Sequence, residues 1–128
     1  CPNTADPGRI DWRRLPYHGG RPLYRMAATG SAARGQIVFA GGSDNPYNYD
    51  GIGYDGEPSA PSERVFAWDL DAVAWQELGA LPKPSMDHRG LLETPAGFVI
   101  VGGMQAGQTV TDAVTRLELP PPLPAAND

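Results

Sequence analysis

Residues 43–63, SDNPYNYDGIGYDGEPSAPSE, hold three tyrosines among a run of Asp, Asn and Glu. The rings of Tyr47, Tyr49 and Tyr54 have flat apolar faces with polar tips, which suit stacking on a sugar ring. The same rings can instead pin a long loop to the surface beneath it. Asn48, Asp50, Gly51 and Glu57 fit positions 3, 5, 6 and 12 of a calcium-binding loop. Position 1 is Pro46, which has no side-chain oxygen, and no helix signal flanks the stretch, so a polar turn is the competing reading. No cofactor is expected. A second group is His88-Arg89, placed either to touch a ligand or to satisfy neighbouring backbone carbonyls. Other chemistries lack their residues. The chain has no G-x-S-x-G elbow, no phosphate-cradling glycine loop with Lys-Ser/Thr, and no His or Cys cluster for zinc. Its sole lysine, Lys83, lies between prolines, which argues against Schiff-base chemistry.

The scaffold for these residues is one domain's worth of chain. The sequence has 128 residues, 41% of them hydrophobic, which is enough for a core. Gly (16) and Pro (14) give a turn-rich composition. Ten basic against fifteen acidic residues leave a net charge of −5, which argues against nucleic acid or an anionic membrane surface as partner. Nine of the ten bases are Arg, suited to planar, bidentate contacts. Cys1 is the single cysteine, so there is no internal disulfide framework. It reads either as the lipidated end of a processed lipoprotein or as the point where a longer chain was cut. No secretory h-region and no membrane-spanning apolar run is present.

A repeat organises the chain. IVFAGG at 37–42 returns as FVIVGG at 98–103, with Gly41 and Gly102 separated by 61 positions. WRRLP at 12–16 has a looser partner in WQELGALP at 75–82, with Trp12 and Trp75 separated by 63. Two markers returning at nearly one distance indicate repeated supersecondary units, with a period stretched by the polar loop. Strands are predicted at 10–15, 24–29, 36–41, 64–70, 74–79, 89–93, 97–102 and 112–118, so the fold class is all-β. Val65, Trp68, Ala72 and Trp75 are also spaced for a helix, but Phe66, Trp68 and Leu70 alternate as in a strand. The second copy, AVTRLELPPPLP, ends in prolines that no helix interior tolerates.

The Gly-Gly after an apolar strand, the later Trp75 and the Leu-Pro turn resemble kelch repeats, the four-stranded antiparallel blades of a β-propeller. The resemblance covers residues 10 to 118. FVIVGGMQAGQTVTDAVTRLEL, with the earlier IVFAGG and its Asn/Tyr/Gly loop, is similar to the last two blades of bacterial sialic acid (N-acetylneuraminate) mutarotases. Those are six-bladed periplasmic propellers that equilibrate sugar anomers, so the resemblance implies a sugar-binding isomerase in the periplasm or outside the cell. The family's catalytic Glu follows a Gly in a blade upstream of anything here, and Met104 stands after Gly103 in the last blade. No proton-transferring Glu is carried over from the family to this sequence, which places the catalytic residue outside it. A copper-radical oxidase, another kelch enzyme, needs a Tyr–Cys crosslink that Cys1 is not placed to make.

Blade geometry then assigns the faces. The connections 43–63 and 104–111 emerge on the same side as 17–24 and 83–88. That side gathers Arg21, Arg25, Asp44, Tyr47, Tyr49, Asp50, Asp87, His88, Arg89 and Gln105 as ligand-binding candidates, whereas the opposite side, TGSAARGQ and ETPAG, is chemically poor. The expected layout is an outer strand at 10–16, a full blade at 17–82, three strands of a last blade at 83–119 and a Pro-rich tail at 120–128. About two blades cannot close a ring. Closure requires remaining blades, either from an upstream chain or from identical copies, and the stretched period favours the upstream chain. The leading function is sugar binding on the loop face; the alternative is a non-catalytic protein-interaction propeller using that face.

Overall fold

A computed structural model describes residues 2, 3 and 5–125; Cys1 and the end of the tail, residues 126–128, lie outside the described residues. Among the described residues eleven strands run β1 (Pro2–Asn3), β2 (Asp6–Ile10), β3 (Ala27–Ser31), β4 (Gln36–Ala40), β5 (Arg64–Asp69), β6 (Ala74–Ala80), β7 (Leu92–Thr94), β8 (Gly97–Val101), β9 (Met104–Gln105), β10 (Thr109–Val110) and β11 (Val114–Leu117). No helix occurs among the described residues. β3-β4-β5-β6 form one antiparallel sheet, and β11-β8-β7 form a second.

Alternation decides which face of each sheet is buried. In β4 and β5 the pairs Val38–Ala67 and Ala40–Val65 share one face, whereas Ile37–Trp68 and Phe39–Phe66 share the other. The first face joins Phe98, Ile100 and Leu117 of the second sheet in one core, with Ala27, Leu78, Leu81 and Leu91 at its margins. Burying each large side chain there stabilises by about 1.5–3 kcal/mol. A register shift beside Val65, which pairs with Gly79 while Phe66 pairs with Glu77, inserts Leu78 and lets it reach that core. The other face of the first sheet carries an aromatic group. The His18 ring stacks on Phe66 at 4.6 Å, and Trp75 meets Trp68 edge-on at 5.1 Å.

Three sequence expectations shift. Residues 11–16 join no sheet, and Trp12 is 89% exposed; Ile10 instead ends β2, which pairs with β1. The inner strand predicted at 24–29 is Ala27–Ser31, because Arg25 is left-handed (φ 52°) and breaks the strand before it. The connection after β8 is a small hairpin, β9–β10, rather than a plain loop. The tail also has a place. Arg34 donates to the Pro120 carbonyl and Gln76 Nε2 to that of Pro121 at 3.1 Å, holding it against the first sheet.

Candidate functional site

Both Gly-Gly pairs are left-handed corners, with φ of +69° and +92° at Gly41 and Gly42 and +71° and +115° at Gly102 and Gly103. After each corner the chain pairs with the segment leading into the inner strand. Tyr24 and Ser43 exchange backbone hydrogen bonds at 2.7 and 3.0 Å; Met86 and Met104 exchange two at 2.8 Å. The glycines are needed because the backbones come close. A Cβ on Gly41 would stand 2.4 Å from the Ser85 carbonyl oxygen and 3.0 Å from His88 Nε2. One on Gly103 would stand 2.6 Å from His88 Cε1 and 2.7 Å from Ser85 Oγ. The His88 imidazole therefore sits between the Gly-Gly corners of the two sheets.

Around it lies an ionic array. Arg25 Nη1 donates to Asp87 Oδ1 at 2.7 Å, joining the two sheets, and Arg89 Nη1 donates to the same oxygen at 3.1 Å. Arg25 and Asp87 are both non-glycine residues with left-handed backbone (φ 52° and 62°). Such conformations cost about 1–2 kcal/mol each and persist where surroundings fix them. Burial alone would push the Asp87 carboxyl up, but the hydrogen bonds from Arg25 and Arg89 outweigh it and hold it below the usual carboxylate range. Burial pushes the His88 imidazole below its ordinary value, offset in part by the Ser85 carbonyl and the Asp87 charge. Ser85 Oγ and His88 Nε2 are buried with no aligned hydrogen-bond partner among the described residues. Tyr47 is buried beneath the array, edge-on to Tyr24 at 5.2 Å and packed with Met86 and Met104. Its hydroxyl is pushed up to about 12, first by burial and then by the Asp87 charge. Asp87, His88 and Arg89 line an open hollow of about 530 Å³ with Gly90, Leu92, Val101 and Gly103.

The structure thus brings Arg25, Tyr47, Asp87, His88 and Arg89 together. The remaining candidates stand apart. Asp44 pairs with Arg21 at 2.9 Å, Tyr49 is 90% exposed, and Gln105 lies in the β9–β10 hairpin. Asp50 accepts the Ile52 N–H at 3.1 Å in a local turn, and Asp55, not Glu57, holds Asn45 at 3.1 Å. Among the described residues no group of three or more His, Cys, Asp or Glu is close enough to hold a metal ion. The loop keeps its shape through backbone bonds, including Asn48 N–H to Ile52 and Gly53 N–H to Glu57, both 2.8 Å. No local sequence signal marks the Arg25–Asp87 pair, although the two positions are related by the repeat. The opposite side is less bare than its sequence implied: a trough of about 610 Å³ there is lined by Arg34, Glu93, Pro95, Phe98 and Leu119. There Arg34 binds Gln36 and Glu93 accepts from Ser31 at 2.5 Å, and Glu118 also lines the trough.

Two packed antiparallel sheets, each turning at a Gly-Gly corner on its inner side, define propeller blades. A solved structure titled "Structure of YjhT" has this fold, with a TM-score of 0.61 and 19% sequence identity over 81% of this chain. The chain spans only 30% of that structure's length. The sequence matches no family model and no curated protein.

Proposed function

We propose that this chain is part of a bacterial kelch-type propeller whose loop face binds a small polar ligand, a sugar. The observation that carries the reading is the Arg25–Asp87–Arg89 array at the mouth of the hollow. One carboxylate shared by two guanidiniums leaves an excess positive charge on a chain whose net charge is −5. That suits a sugar bearing a carboxylate, the class the mutarotase resemblance implies. Arg89 extends from the array with its side chain 73% exposed, within reach of such a group. His88, which lines the hollow, adds a buried ring nitrogen, Nε2, with no aligned partner among the described residues. The backbone strain at Arg25 and Asp87 fits a pre-organised site. No proton-transferring Glu accompanies the array, so the reading is ligand binding, with isomerisation requiring groups beyond these residues. A protein-binding role would call for an aromatic and leucine patch on this face. Tyr49 and Tyr54 are exposed, but residues 43–63 contain no leucine to join them.

Calorimetric titration with N-acetylneuraminate tests the assignment of faces. Arg89→Ala removes a charge-assisted hydrogen bond and is expected to weaken binding roughly tenfold or more. Arg34→Ala, on the opposite side, leaves affinity unchanged. Equal effects at the two positions overturn the proposal.

A further inference from the structure

Residues 118–124, ELPPPLP, cannot prolong β11. Three consecutive prolines fix φ near −65° and lack the N–H donors that a ladder needs. They favour the polyproline II helix, which makes no hydrogen bonds within itself and leaves its carbonyls for outside partners. Over 120–122 the segment therefore offers acceptors only, and the first N–H after them belongs to Leu123.

One end of the first sheet supplies the matching groups in the same order. Arg34 donates to the Pro120 carbonyl, Gln76 Nε2 to that of Pro121 at 3.1 Å, and Asp69 accepts from the Leu123 N–H. Successive carbonyls of a three-residue-per-turn helix point about 120° apart, so one flat surface cannot meet both. Two elements do so here, since Arg34 precedes β4 and Gln76 lies in β6. The directions of these groups are forced from beneath. Gln36 and Asp69 are each 1% exposed and pair across β4 and β5. Arg34 can only donate and ionised Asp69 can only accept. Gln36 Oε1 therefore accepts from Arg34 Nε at 3.0 Å, and Gln36 Nε2 donates to Asp69 Oδ2 at 2.9 Å. Gln36 Nε2 also donates to Gln76 Oε1 at 2.8 Å, which leaves the Gln76 amide nitrogen aimed at the segment. The rings of Pro120, Pro121 and Pro122 stay exposed, so the rim reads the backbone and its conformation.

We propose that Arg34, Gln76 and Asp69, set around Gln36, form a recognition site for a polyproline II segment, filled here by residues 120–123, and that filling it straps the second blade to the first. Leu117 closes β11 in the second sheet, Leu119 packs on the core that both sheets share, and the prolines are held on the first. The strap lies at the start of β4, whereas Gly41-Gly42 and the Arg25–Asp87 pair lie beyond its other end. The two blades are thus tied at both ends of their contact. Pre-set prolines suit this task, because a segment already extended loses less freedom on docking.

Amide hydrogen exchange of the full chain, followed by NMR, tests the strap. Gln76→Glu keeps an acceptor for Gln36 Nε2 and loses the donor to Pro121. Pro120→Gly/Pro121→Gly/Pro122→Gly keeps every carbonyl and removes the pre-set conformation. Both leave the shared core untouched, so circular dichroism stays that of wild type. Each is expected to speed exchange at Leu123 roughly tenfold or more and to raise it in β11, with Val38 and Val65 unchanged. The free peptide acetyl-LPPPLP-amide, at millimolar concentration, should shift the Gln36 and Gln76 side-chain amides of the triple-glycine chain more than those of wild type, whose site is filled. Three results overturn the inference: a Leu123 amide unprotected in wild type, wild-type exchange at Leu123 or in β11 in either variant, and glycine-variant side-chain amides that the peptide leaves unmoved.

Discussion

Gly41→Ala measures the pressure between the blades. The new Cβ would lie 2.4 Å from the Ser85 carbonyl oxygen, a backbone atom, and 3.0 Å from His88 Nε2. The Ser85 carbonyl already accepts from Gly42 N–H, so moving it away sacrifices that bond. The left-handed φ adds about 1–2 kcal/mol for any residue with a Cβ. Reduced freedom of the unfolded chain returns about 0.4–1 kcal/mol. Gly56→Ala carries those last two effects alone, since its φ is +86° and nothing lies within 4 Å of its Cβ. The difference between the variants therefore isolates the contact. Losing the hydrogen bond costs about 1 kcal/mol, and forcing apart packed atoms costs about 1–3 kcal/mol more. Gly41→Ala should thus be less stable than Gly56→Ala by about 2–4 kcal/mol, or roughly 8–16 °C in Tm for a domain of this size. Urea titration followed by tryptophan fluorescence gives the free energies directly. Equal losses for the two variants would refute the claim that Gly41 is glycine because the second blade presses on it.

Acid should loosen the same contact, with His88 responsible for the first part. Its folded-state pKa is lowered by burial, so below an unfolded value of about 6.5 the unfolded chain binds a proton that the folded chain refuses. Its stabilisation is complete above that pH and shrinks as pH falls below it; Tm measured from pH 7 to pH 5 should fall more steeply for wild type than for His88→Gln. Trp75→Phe removes the hydrogen bond to the Pro16 carbonyl while keeping an aromatic ring, and trypsin should then cleave at Arg13 and Arg14 severalfold faster. The chain by itself should not accelerate exchange between N-acetylneuraminate anomers in saturation-transfer NMR. Accelerated exchange abolished by Asp50→Ala or Glu57→Ala would show that a loop carboxylate does the catalysis.

The fold is legible in the sequence because its signals are local or repeated. An alternating run ending in Gly-Gly, met twice, fixes β4 and β8 and the corners after them. The helix-like spacing of Val65 to Trp75 yielded to strand alternation, and β5 and β6 are strands. Residues 12–16 carry the pattern of an outer strand, but a strand needs a neighbour and they pair with none among the described residues. The β9–β10 hairpin has two residues on each side, too few for any alternation to show. At the site, His88 and Arg89 were legible as a basic pair, but not what they face. Arg25 meets Asp87 only when two blades stack, a contact that no local pattern encodes. Among the tyrosines, sequence could not separate Tyr47, which anchors the loop, from Tyr49, which stands in solvent, because burial depends on the Tyr24–Met86–Met104 cluster below.

The loop face of these blades is the proposed ligand face. Amide chemical-shift mapping of the ¹⁵N-labelled chain with N-acetylneuraminate addresses it most directly. Shifts that saturate together at Arg25, Asp87, His88, Arg89 and Gly103, with Arg34, Thr94 and Gly97 unmoved, are the predicted result. Shifts confined to Arg34, Thr94 and Gly97, or none at millimolar ligand, would contradict it.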